Sequence, residues 1–519
     1  MRALGIVLFS LLLSACSTLP RDVERPVSHA VANTGDTRLG HMIRQAATAH
    51  PGQSGFHALS DGVEALLSRL VLAELAERTL DVQYYIWHHD QTGRYFAQAM
   101  LEAADRGVRV RILLDDLGVN PDDEVLLALE AHPQIEIRLF NPVASRRFRG
   151  LSAIADFSRV NRRMHNKAFI ADNQAAILGG RNIGDEYFNA AGDVAFHDLD
   201  VLTVGEGVPA VSQSFDAYWN SELAYPVRAL GIGSAEELAA LRAGLNARVK
   251  AESSGPYAMQ ARKTLAEHMA SGKIPFDWGR ARLLYDDPQK VLRPAGDPEG
   301  TLLPQFSELG LQAKQSLMIV SPYFVPGKVG VNWLGELVER GVEVTVLTNS
   351  LAATDVSAVH AGYSRYRRDL LEVGVHLYEL KADADRRKKG GADGKSGSRA
   401  SLHAKTFIFD KRTVFIGSMN LDPRSVVLNT EIGLLCESEA LAERLSRGLV
   451  SGLKAGAYRV ELSTTKEADA GTEVRGETSL VWSATEPEGP VSYSSDPEAG
   501  VWRRFSVWVM RLLPIESQL

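Results

Sequence analysis

The sequence MHNKAFIAD at residues 164–172 recurs as LHAKTFIFD at residues 402–410. Both copies read H-x-K, four residues, D. Each copy is followed at the same spacing by a glycine, a small residue and an asparagine, as GGRN at 179–182 and GSMN at 417–420. One such motif has only three fixed positions and recurs by chance, whereas two copies with matching downstream residues indicate an internal duplication.

The duplication extends upstream of both motifs. In each half an apolar strand pattern is followed by a helical pattern that closes on Arg-Gly, and then by a second strand pattern. The two glycines, Gly107 and Gly341, occupy the usual position of a left-handed helix stop. Strand, helix and strand in the same order twice predict an α/β fold, in which two duplicated halves with mainly parallel mixed sheets pack together.

Composition indicates a globular protein of several domains. The chain has 519 residues, of which 45% are hydrophobic, and this is enough to bury large cores. Its 57 basic and 64 acidic residues give a net charge of −7, so the large basic field of a nucleic-acid binder is not indicated. The sequence has neither a zinc-ligand spacing nor a phosphate-binding glycine loop, and we expect no metal and no other cofactor.

Residues 1–16 are typical of an export signal that is removed. A single basic residue precedes an almost unbroken apolar run that is too short to span a bilayer. The run ends in Leu-Ser-Ala-Cys, which resembles a bacterial lipobox and implies cleavage before Cys16 and acylation of its thiol. The alternative is an ordinary secretory signal in which Cys16 is incidental. Cys436, the other cysteine, lies in an apolar strand pattern and is expected to be buried and inert.

The rest of the chain divides at changes in composition. Residues 383–400 are basic and glycine-rich and directly precede the second motif, so they form either a solvated loop or a mobile lid that meets anionic headgroups. Residues 502–513 combine Trp and Arg with apolar residues, which suits a membrane interface; a helix packed back on the domain is the alternative. The predicted segments are a tether (17–55), the first half (56–226), a helical bridging region (227–300), the second half (301–460) and a C-terminal tail (461–519).

The two motifs are predicted to bring matching polar groups to one site at the interface of the halves. Residues i and i+2 of a strand point to the same face, so His165 projects with Lys167, and His403 projects with Lys405. The return strand of each hairpin then leads to an asparagine, which is Asn182 in the first half and Asn420 in the second. We count the motif carboxylates with the catalytic set, but their position predicts that they fix a tight turn rather than carry a proton; they are Asp172 and Asp410.

Two imidazoles, two ammonium groups and two carboxamides at one point suit a phosphodiester. The lysines and amides stabilise charge on the phosphate oxygens, so no metal ion is required. One histidine attacks phosphorus and the other protonates the leaving alcohol, which divides a difficult displacement into two easier steps. Each histidine also needs an acceptor at its far nitrogen. The candidate after the second motif is Glu431, and after the first it is Asp198, which we prefer to Asp200 on the same face.

The chain resembles the phospholipase D superfamily, whose signature is a duplicated H-x-K-x4-D with a downstream G-[SG]-x-N. The resemblance implies one active site between the halves and a phosphohistidine intermediate, with His165 as the nucleophile and His403 as the acid. It also implies that Ser418 joins the asparagines as a phosphate-binding residue.

Within the superfamily, longer strings make the chain most similar to bacterial cardiolipin synthases of the C type. They include LDVQYYIW at 80–87, NRRMHNK at 161–167 and NLDPRS at 420–425. Such enzymes pass a phosphatidyl group from phosphatidylethanolamine or phosphatidylglycerol to the hydroxyl of a phosphatidylglycerol. The resemblance therefore implies a phosphatidyltransferase that acts on phospholipids at a membrane surface. With the lipobox, it implies an enzyme of the cell envelope whose catalytic domain faces the periplasm.

Two other functions use the same residues. A hydrolytic phospholipase D would use water as the acceptor and release phosphatidic acid, and the motifs do not distinguish it from a transferase. A nuclease or another phosphodiesterase also shares the motif. The export signal, the acidic net charge and the Trp/Arg segment count against a nuclease, so no nucleic-acid partner is expected.

Overall fold

A computed structural model describes ten stretches of the chain, at residues 19, 22–119, 123–146, 149–190, 194–271, 274–382, 399–465, 477–486, 489–514 and 516–519. The predicted signal segment with Cys16 lies outside the described residues. Residues 383–398 of the predicted basic loop also lie outside them.

The first half is built on a mixed sheet. Its strands, and a short strand β7 outside the sheet, are β1 (Ser54–Leu59), β2 (Thr79–Tyr84), β3 (Arg109–Asp115), β4 (Ile135–Phe140), β5 (Ala168–Ala171), β6 (Ala175–Gly179), β7 (Val194–His197), β8 (Asp200–Gly205) and β9 (Ala224–Pro226). The order across the sheet is β9-β4-β3-β2-β5-β6-β8-β1. Strands β2, β3 and β4 are parallel, and the other pairs are antiparallel.

The second half repeats this arrangement. Its strands are β10 (Asp277–Tyr285), β11 (Ser316–Val320), β12 (Glu343–Asn349), β13 (His376–Leu380), β14 (Arg399–Leu402), β15 (Thr406–Phe409), β16 (Thr413–Gly417), β17 (Ile432–Glu437), β18 (Ala457–Thr465), β19 (Glu477–Glu486) and β20 (Gly489–Tyr493). The order is β10-β17-β16-β15-β11-β12-β13-β18-β19-β20, again with three central parallel strands, β11 to β13. The matching orders confirm the predicted α/β duplication.

Helices cover the sheets and connect their parallel strands. The predicted stops after two of these helices have the left-handed backbone that glycine allows, with φ of +90° at Gly107 and +86° at Gly341. The helices are α1 (Arg38–Ala47), α2 (Gly62–Leu75), α3 (Gln91–Asp105), α4 (Asp123–Glu130), α5 (Arg149–Ala155), α6 (Phe157–Val160), α7 (Val208–Trp219), α8 (Ala235–Glu252), α9 (Pro256–Ser271), α10 (Leu303–Gln312), α11 (Gly327–Glu339), α12 (Ser357–Tyr363), α13 (Arg367–Glu372), α14 (Glu439–Gly456) and α15 (Val501–Met510).

The two halves share an apolar core as well as having one each. The cluster between them joins Phe56 and Val201 of the first half to Met318, Ile408 and Leu434 of the second. All five side chains are buried. Burial of this surface holds the halves together, because apolar area removed from water contributes roughly 25 cal/mol per Å².

Strand β10 links the two sheets edge to edge. Its first residues pair antiparallel with β1, with Gly279 opposite Ser54, and its later residues pair with β17. The bridging region at 227–300 therefore contains the helices that the sequence predicts, α8 and α9, and also a strand that it does not predict. This strand fixes the position of one half relative to the other.

The segment expected to be a tether contacts the first half from Arg25 onwards. The backbone N–H of Ser28 donates to Asn220 at 3.2 Å, and that of Ala30 donates to Asp216 at 2.9 Å. Thr37 then caps helix α1. The polar composition that indicated a tether thus supplies hydrogen-bond partners on the surface of the first half.

The region beyond residue 460 also differs from the expected tail. Strands β18 to β20 extend the second sheet past β13, and helix α15 follows them outside the sheet. Among the described residues, none of the helices combines the length and the apolar character that crossing a bilayer would need.

Candidate active site

The two H-x-K segments lie immediately before β5 and β15, at the start of the predicted hairpins. At each hairpin turn two successive residues have positive φ, which is 50° at both Asp172 and Asn173, 53° at Asp410 and 55° at Lys411. Two left-handed residues in succession form a tight turn whose twist matches the flanking strands. The turns therefore lie where the sequence predicts them.

The motif aspartates bind backbone groups at the start of a neighbouring strand. Asp172 accepts hydrogen bonds from the backbone N–H groups of residues 77, 78 and 79 at 3.0, 2.8 and 2.9 Å. Asp410 accepts from residues 314–316 in the same way. Burial raises the pKa of Asp410, but these donors more than offset it, and the pKa lies below its ordinary value. These partners tie each hairpin to the sheet, in line with the turn-fixing role expected for Asp172 and Asp410, and their inclusion in the catalytic set stays a prediction.

Each motif segment pairs with the opposite half before its own strand begins. The backbone N–H of His165 donates to the carbonyl of Thr430 at 2.9 Å, and that of His403 donates to the carbonyl of His197 at 2.8 Å. Strands β14 and β7 extend the second contact as a parallel pair. The residues after Thr430 and His197 are the two predicted orienting carboxylates, so the backbone alone brings each histidine to the other half's carboxylate.

The orienting carboxylates are exchanged between the halves. Nδ1 of His165 lies 2.9 Å from Oε2 of Glu431, and Nδ1 of His403 lies 2.6 Å from Oδ2 of Asp198. The sequence offers one carboxylate after each motif, and in the fold each serves the histidine of the opposite motif. Asp200, the alternative to Asp198, instead accepts from Arg69 at 2.8 Å. With Nδ1 engaged, Nε2 is the nitrogen through which each ring can react.

Burial depresses the proton affinity of both histidines. It lowers the pKa of His165 to about 4, although the charge of Glu431 opposes this, and it lowers the pKa of His403 below its ordinary value. Burial raises the pKa values of Glu431 and Asp198, but the adjacent histidine and lysine and other neighbouring groups together more than offset this in each case, so both pKa values lie below the ordinary range. Each imidazole thus faces a carboxylate that stays ionised.

The two lysines share this buried site. Nζ of Lys167 donates to the carbonyl of His165 at 2.6 Å, and Nζ of Lys405 donates to the carbonyl of His403. Burial lowers the pKa of Lys167 well below its ordinary value and lowers that of Lys405 to about 8. The charge on Lys405 also lowers the pKa values of Lys167 and His165 across the interface. The four groups therefore act on one another as a single electrostatic site.

Ser418 holds a carboxylate instead of facing the substrate. Its hydroxyl donates to Oε2 of Glu431 and accepts from the backbone N–H of Ile432 at 3.0 Å. The equivalent residue of the first half is Gly180, where an added Cβ would lie 2.2 Å from Oδ1 of Asp198. The hydroxyl proton of Ser418 is thus used within the protein, and the predicted contact of Ser418 with phosphate stays a prediction.

The two predicted asparagines differ in their contacts. Asn182 accepts from the backbone N–H of Ile86 at 3.2 Å and donates to the hydroxyl of Tyr187 at 3.0 Å. Asn420 is buried, and its side-chain oxygen has no hydrogen-bond partner in the protein. A buried amide without partners is expensive unless a ligand satisfies it. The geometry thus favours Asn420 over Asn182 as a direct contact to substrate.

Aromatic rings that sequence reasoning did not select enclose both histidines. The ring of Tyr85 lies 5.2 Å from that of His165, and the rings of Tyr187 and Phe196 lie 5.1 and 5.0 Å from that of His403. Nζ of Lys167 also lies 5.5 Å from the centroid of Tyr85. Tyr85 ends the first strand pattern and could have been found as a strand-end residue, whereas Tyr187 and Phe196 reach His403 only through the packing of the two halves.

A further missed residue supports Glu431 from behind. The backbone N–H of Glu431 donates to Oδ2 of Asp286 at 2.8 Å, and Nζ of Lys290 donates to the same oxygen at 2.9 Å. Burial raises the pKa of Asp286 to about 6, although Lys290 opposes the shift. Nothing in the sequence joins Asp286 to either motif, since their contact depends on the end of β10.

A group of possible metal ligands lies outside the motifs. In the part of the chain that the structure describes, ligand atoms of His88, Asp90 and Glu186 lie within 4.8 Å of one another. All three side chains are partly exposed, and Nδ1 of His88 lies 3.3 Å from Glu186.

Comparison with known proteins gives a consistent result. Residues 71–219 and 310–449 match the family described as "Cardiolipin synthase, PLD-like domain". The chain is 40% identical to cardiolipin synthase C of Escherichia coli (strain K12) over 92% of this chain and 99% of that protein. It is 27% identical to cardiolipin synthase A of Pseudomonas entomophila (strain L48), over 76% of this chain and 67% of that protein.

One solved structure agrees with the fold. The phosphatidylserine synthase of Haemophilus influenzae Rd KW20 superposes with a TM-score of 0.54, covering 80% of this chain and 91% of that one. At 15% identity this likeness concerns the architecture of two α/β halves.

Proposed function

The chain belongs to the cardiolipin synthase family of phospholipase D-like proteins, and it is a phosphatidyltransferase that acts on phospholipids. We propose that it moves a phosphatidyl group from phosphatidylethanolamine or phosphatidylglycerol to the hydroxyl of a phosphatidylglycerol through a phosphohistidine. The exchange of carboxylates supports this proposal most directly. It holds two imidazoles by Nδ1 so that both can work on one phosphorus through Nε2.

The first step forms the covalent intermediate. His165 is neutral at neutral pH because burial lowers its pKa to about 4, so Nε2 has a lone pair with which to attack phosphorus. The bond from phosphorus to the headgroup oxygen breaks, and the Nε2 proton of His403 passes to the leaving alcohol. An anionic phosphodiester next to His403 favours the protonated imidazole that this step requires, as Asp198 does already.

The second step reverses the proton transfer. Nε2 of His403 removes the proton from the hydroxyl of phosphatidylglycerol, the oxygen attacks phosphorus, and the bond from phosphorus to Nε2 of His165 breaks. Lys167 and Lys405 balance the negative charge on the phosphate oxygens in both steps, and Oδ1 of Asn420 can accept a hydrogen bond from a hydroxyl of the substrate. The chain's own cations thus provide the charge stabilisation without a metal ion.

The test is to incubate purified protein with labelled phosphatidylglycerol, with and without phosphatidylethanolamine, and to separate cardiolipin from phosphatidic acid. We expect cardiolipin as the main product. His165→Ala and His403→Ala should each lower turnover by several orders of magnitude, because nucleophile and acid act in series. Phosphatidic acid as the only product would identify a hydrolase instead.

We further propose that the enzyme is an exported lipoprotein of the cell envelope, with its catalytic halves in the periplasm. The lipobox-like sequence that ends at Cys16 supports this location. Metabolic labelling with a radioactive fatty acid should mark the wild-type protein and should not mark Cys16→Ser. Equal labelling of both proteins would place the acyl group elsewhere and refute the lipobox assignment.

A further inference from the structure

Helix α15 presents its apolar residues to solvent. Trp502 is 84% exposed, Phe505 52%, Trp508 56% and Leu512 69%. They recur at intervals of three and four residues and therefore form one stripe along the helix and the turn after it. A helix of a globular domain normally buries such a stripe, so this arrangement is the reverse of the usual one.

The opposite face of α15 is fixed to the second half by polar contacts. Arg503 donates to the carbonyls of Ala352 and Thr354, and Arg504 donates to the carbonyl of Asp496 at 2.8 Å. Val507 is the buried residue of the helix and packs in a small apolar cluster. The orientation of the outward stripe is thus set by specific bonds on the inward side.

The first link from α15 to the active site runs through the loop that Arg503 contacts. Thr354 precedes Asp355, an exposed residue that accepts a hydrogen bond from the hydroxyl of Tyr323 at 2.7 Å. Helix α15 is therefore bonded to the loop at Thr354, and the next residue, Asp355, holds Tyr323 just after the end of β11. The charge of Asp355 also raises the pKa of Lys405, against the larger effect of burial.

The second link runs through residues 516–519 and reaches the first half. The backbone N–H of Arg424 donates to the carbonyl of Leu519 at 2.7 Å, and Nδ2 of Asn161 donates to Oε1 of Gln518 at 2.7 Å. One turn before Asn161, Phe157 is 57% exposed, and Ile154 nearby is 74% exposed. Apolar side chains thus stand on both sides of the junction between the halves.

We infer that these side chains form a docking surface for a phospholipid bilayer. We call it the interfacial patch, and it consists of Ile154, Phe157, Trp502, Phe505, Trp508 and Leu512. The inference rests on the proposed function, since it supplies the reason for contact with lipid. Trp and Phe beside an exposed arginine, here Arg511, match the chemistry of the headgroup region, where aromatic rings and cations both find partners. Docking through the patch turns the junction that holds the active site towards the membrane.

The test measures binding separately from catalysis. Full-length Cys16→Ser protein, which lacks the acylated thiol, is sedimented with vesicles of phosphatidylcholine and phosphatidylglycerol. The combined change Trp502→Ala, Phe505→Ala and Trp508→Ala should weaken vesicle binding at least tenfold. The matched control is Ile232→Ala, since Ile232 is 89% exposed in the bridging region and outside the patch, and its binding should be unchanged.

Further measurements separate the possible outcomes. Activity on lipid dispersed in detergent should stay within about twofold in the triple variant, which shows that the fold and site are intact. Arg511→Gln should weaken binding about fivefold to vesicles that contain phosphatidylglycerol and not to pure phosphatidylcholine. Unchanged vesicle binding in the triple variant, or an equal loss in the control, overturns the inference. Loss of vesicle binding in a protein that makes no cardiolipin would leave the patch in place and refute only the proposed reaction.

Discussion

At the scale of single residues, the active site depends on two long-range pairs. Ser418 donates to Glu431, and Glu431 holds Nδ1 of His165, so the three residues form a chain that ends at the nucleophile. The other histidine has a shorter arrangement, in which Asp198 occupies the space that a side chain at position 180 would need. The two halves thus reach the same geometry with different carboxylates.

This chain of contacts predicts that Ser418 acts through Glu431. Ser418→Ala removes a hydrogen bond to a charged group, worth about 1.5–3 kcal/mol, and should lower kcat roughly 10- to 100-fold with little change in KM. Glu431→Gln should lower kcat by about three orders of magnitude. In the Glu431→Gln background, Ser418→Ala should have almost no further effect. Additive losses in the double variant would show that Ser418 contacts the substrate independently.

The buried lysine predicts one step in the pH dependence of activity. The pKa of Lys405 is lowered to about 8 by burial, and the ammonium form is the one that balances phosphate charge. Loss of this charge should lower kcat/KM as pH rises through about 8, in addition to the fall at lower pH where His403, whose pKa burial lowers, loses the proton that it donates. On the acid side kcat/KM should fall as pH approaches 4, where His165 becomes protonated. In Lys405→Arg the step near pH 8 should be absent, since the guanidinium keeps its charge. A step near pH 8 in both proteins contradicts this assignment.

At the scale of elements, the hairpins are the parts that the sequence specifies best. Their turns need two left-handed residues after the strand, and Asp-Asn supplies them directly in the first half. Three of the strands that the sequence misses have partners far along the chain. The sequence does not predict β10 because this strand follows two helices and has no buried apolar pattern. Strands β7 and β14 are short segments that pair with each other across the two halves.

The turn predicts a variant that affects stability and leaves the chemistry intact. Asp172→Ala leaves three backbone N–H groups without an acceptor and puts alanine at a positive φ, at a cost of about 3 kcal/mol. Asp172→Asn keeps one acceptor oxygen and tolerates the left-handed backbone, so it should cost less. Thermal denaturation should rank the wild type above Asp172→Asn and Asp172→Ala last, while kcat of the folded protein stays within a few-fold. A loss of kcat in Asp172→Asn at full stability would instead support a catalytic role for Asp172.

At the scale of the whole molecule, the sequence predicts the pair of halves and the residues of the shared site. It could not predict which carboxylate serves which histidine. Side-chain spacing along a strand is a local property, and both motifs carry the same local pattern. The pairing is decided by Thr430 and His197, whose carbonyl groups bind the backbone of the opposite motif. The contacts of residues 28 and 30 with the first half depend in the same way on partners far along the chain, at residues 220 and 216.

Because each histidine is oriented by a carboxylate of the opposite half, we expect the halves to be active only together. The chain can be divided after Gly296, an exposed glycine with a φ of +85° between β10 and α10. Fragments 1–296 and 297–519, each kept monomeric, should be inactive because each has a histidine and the wrong carboxylate. Mixing them should restore cardiolipin formation once β10 pairs with β17, and a full chain cut at a protease site inserted at this point should stay active. Turnover by either monomeric fragment would contradict the shared site.

The same exchange determines when activity arises as the protein is made. Glu431 lies 266 residues beyond His165, and His403 lies 205 residues beyond Asp198. A ribosome that has completed the first half has delivered a nucleophile without the group that orients it and without the acid that must act beside it. A growing chain therefore cannot cleave the lipids that it meets while it emerges. The lipid-modifying activity starts in one step, after the codon for Glu431 has been read and the second half has closed on the first.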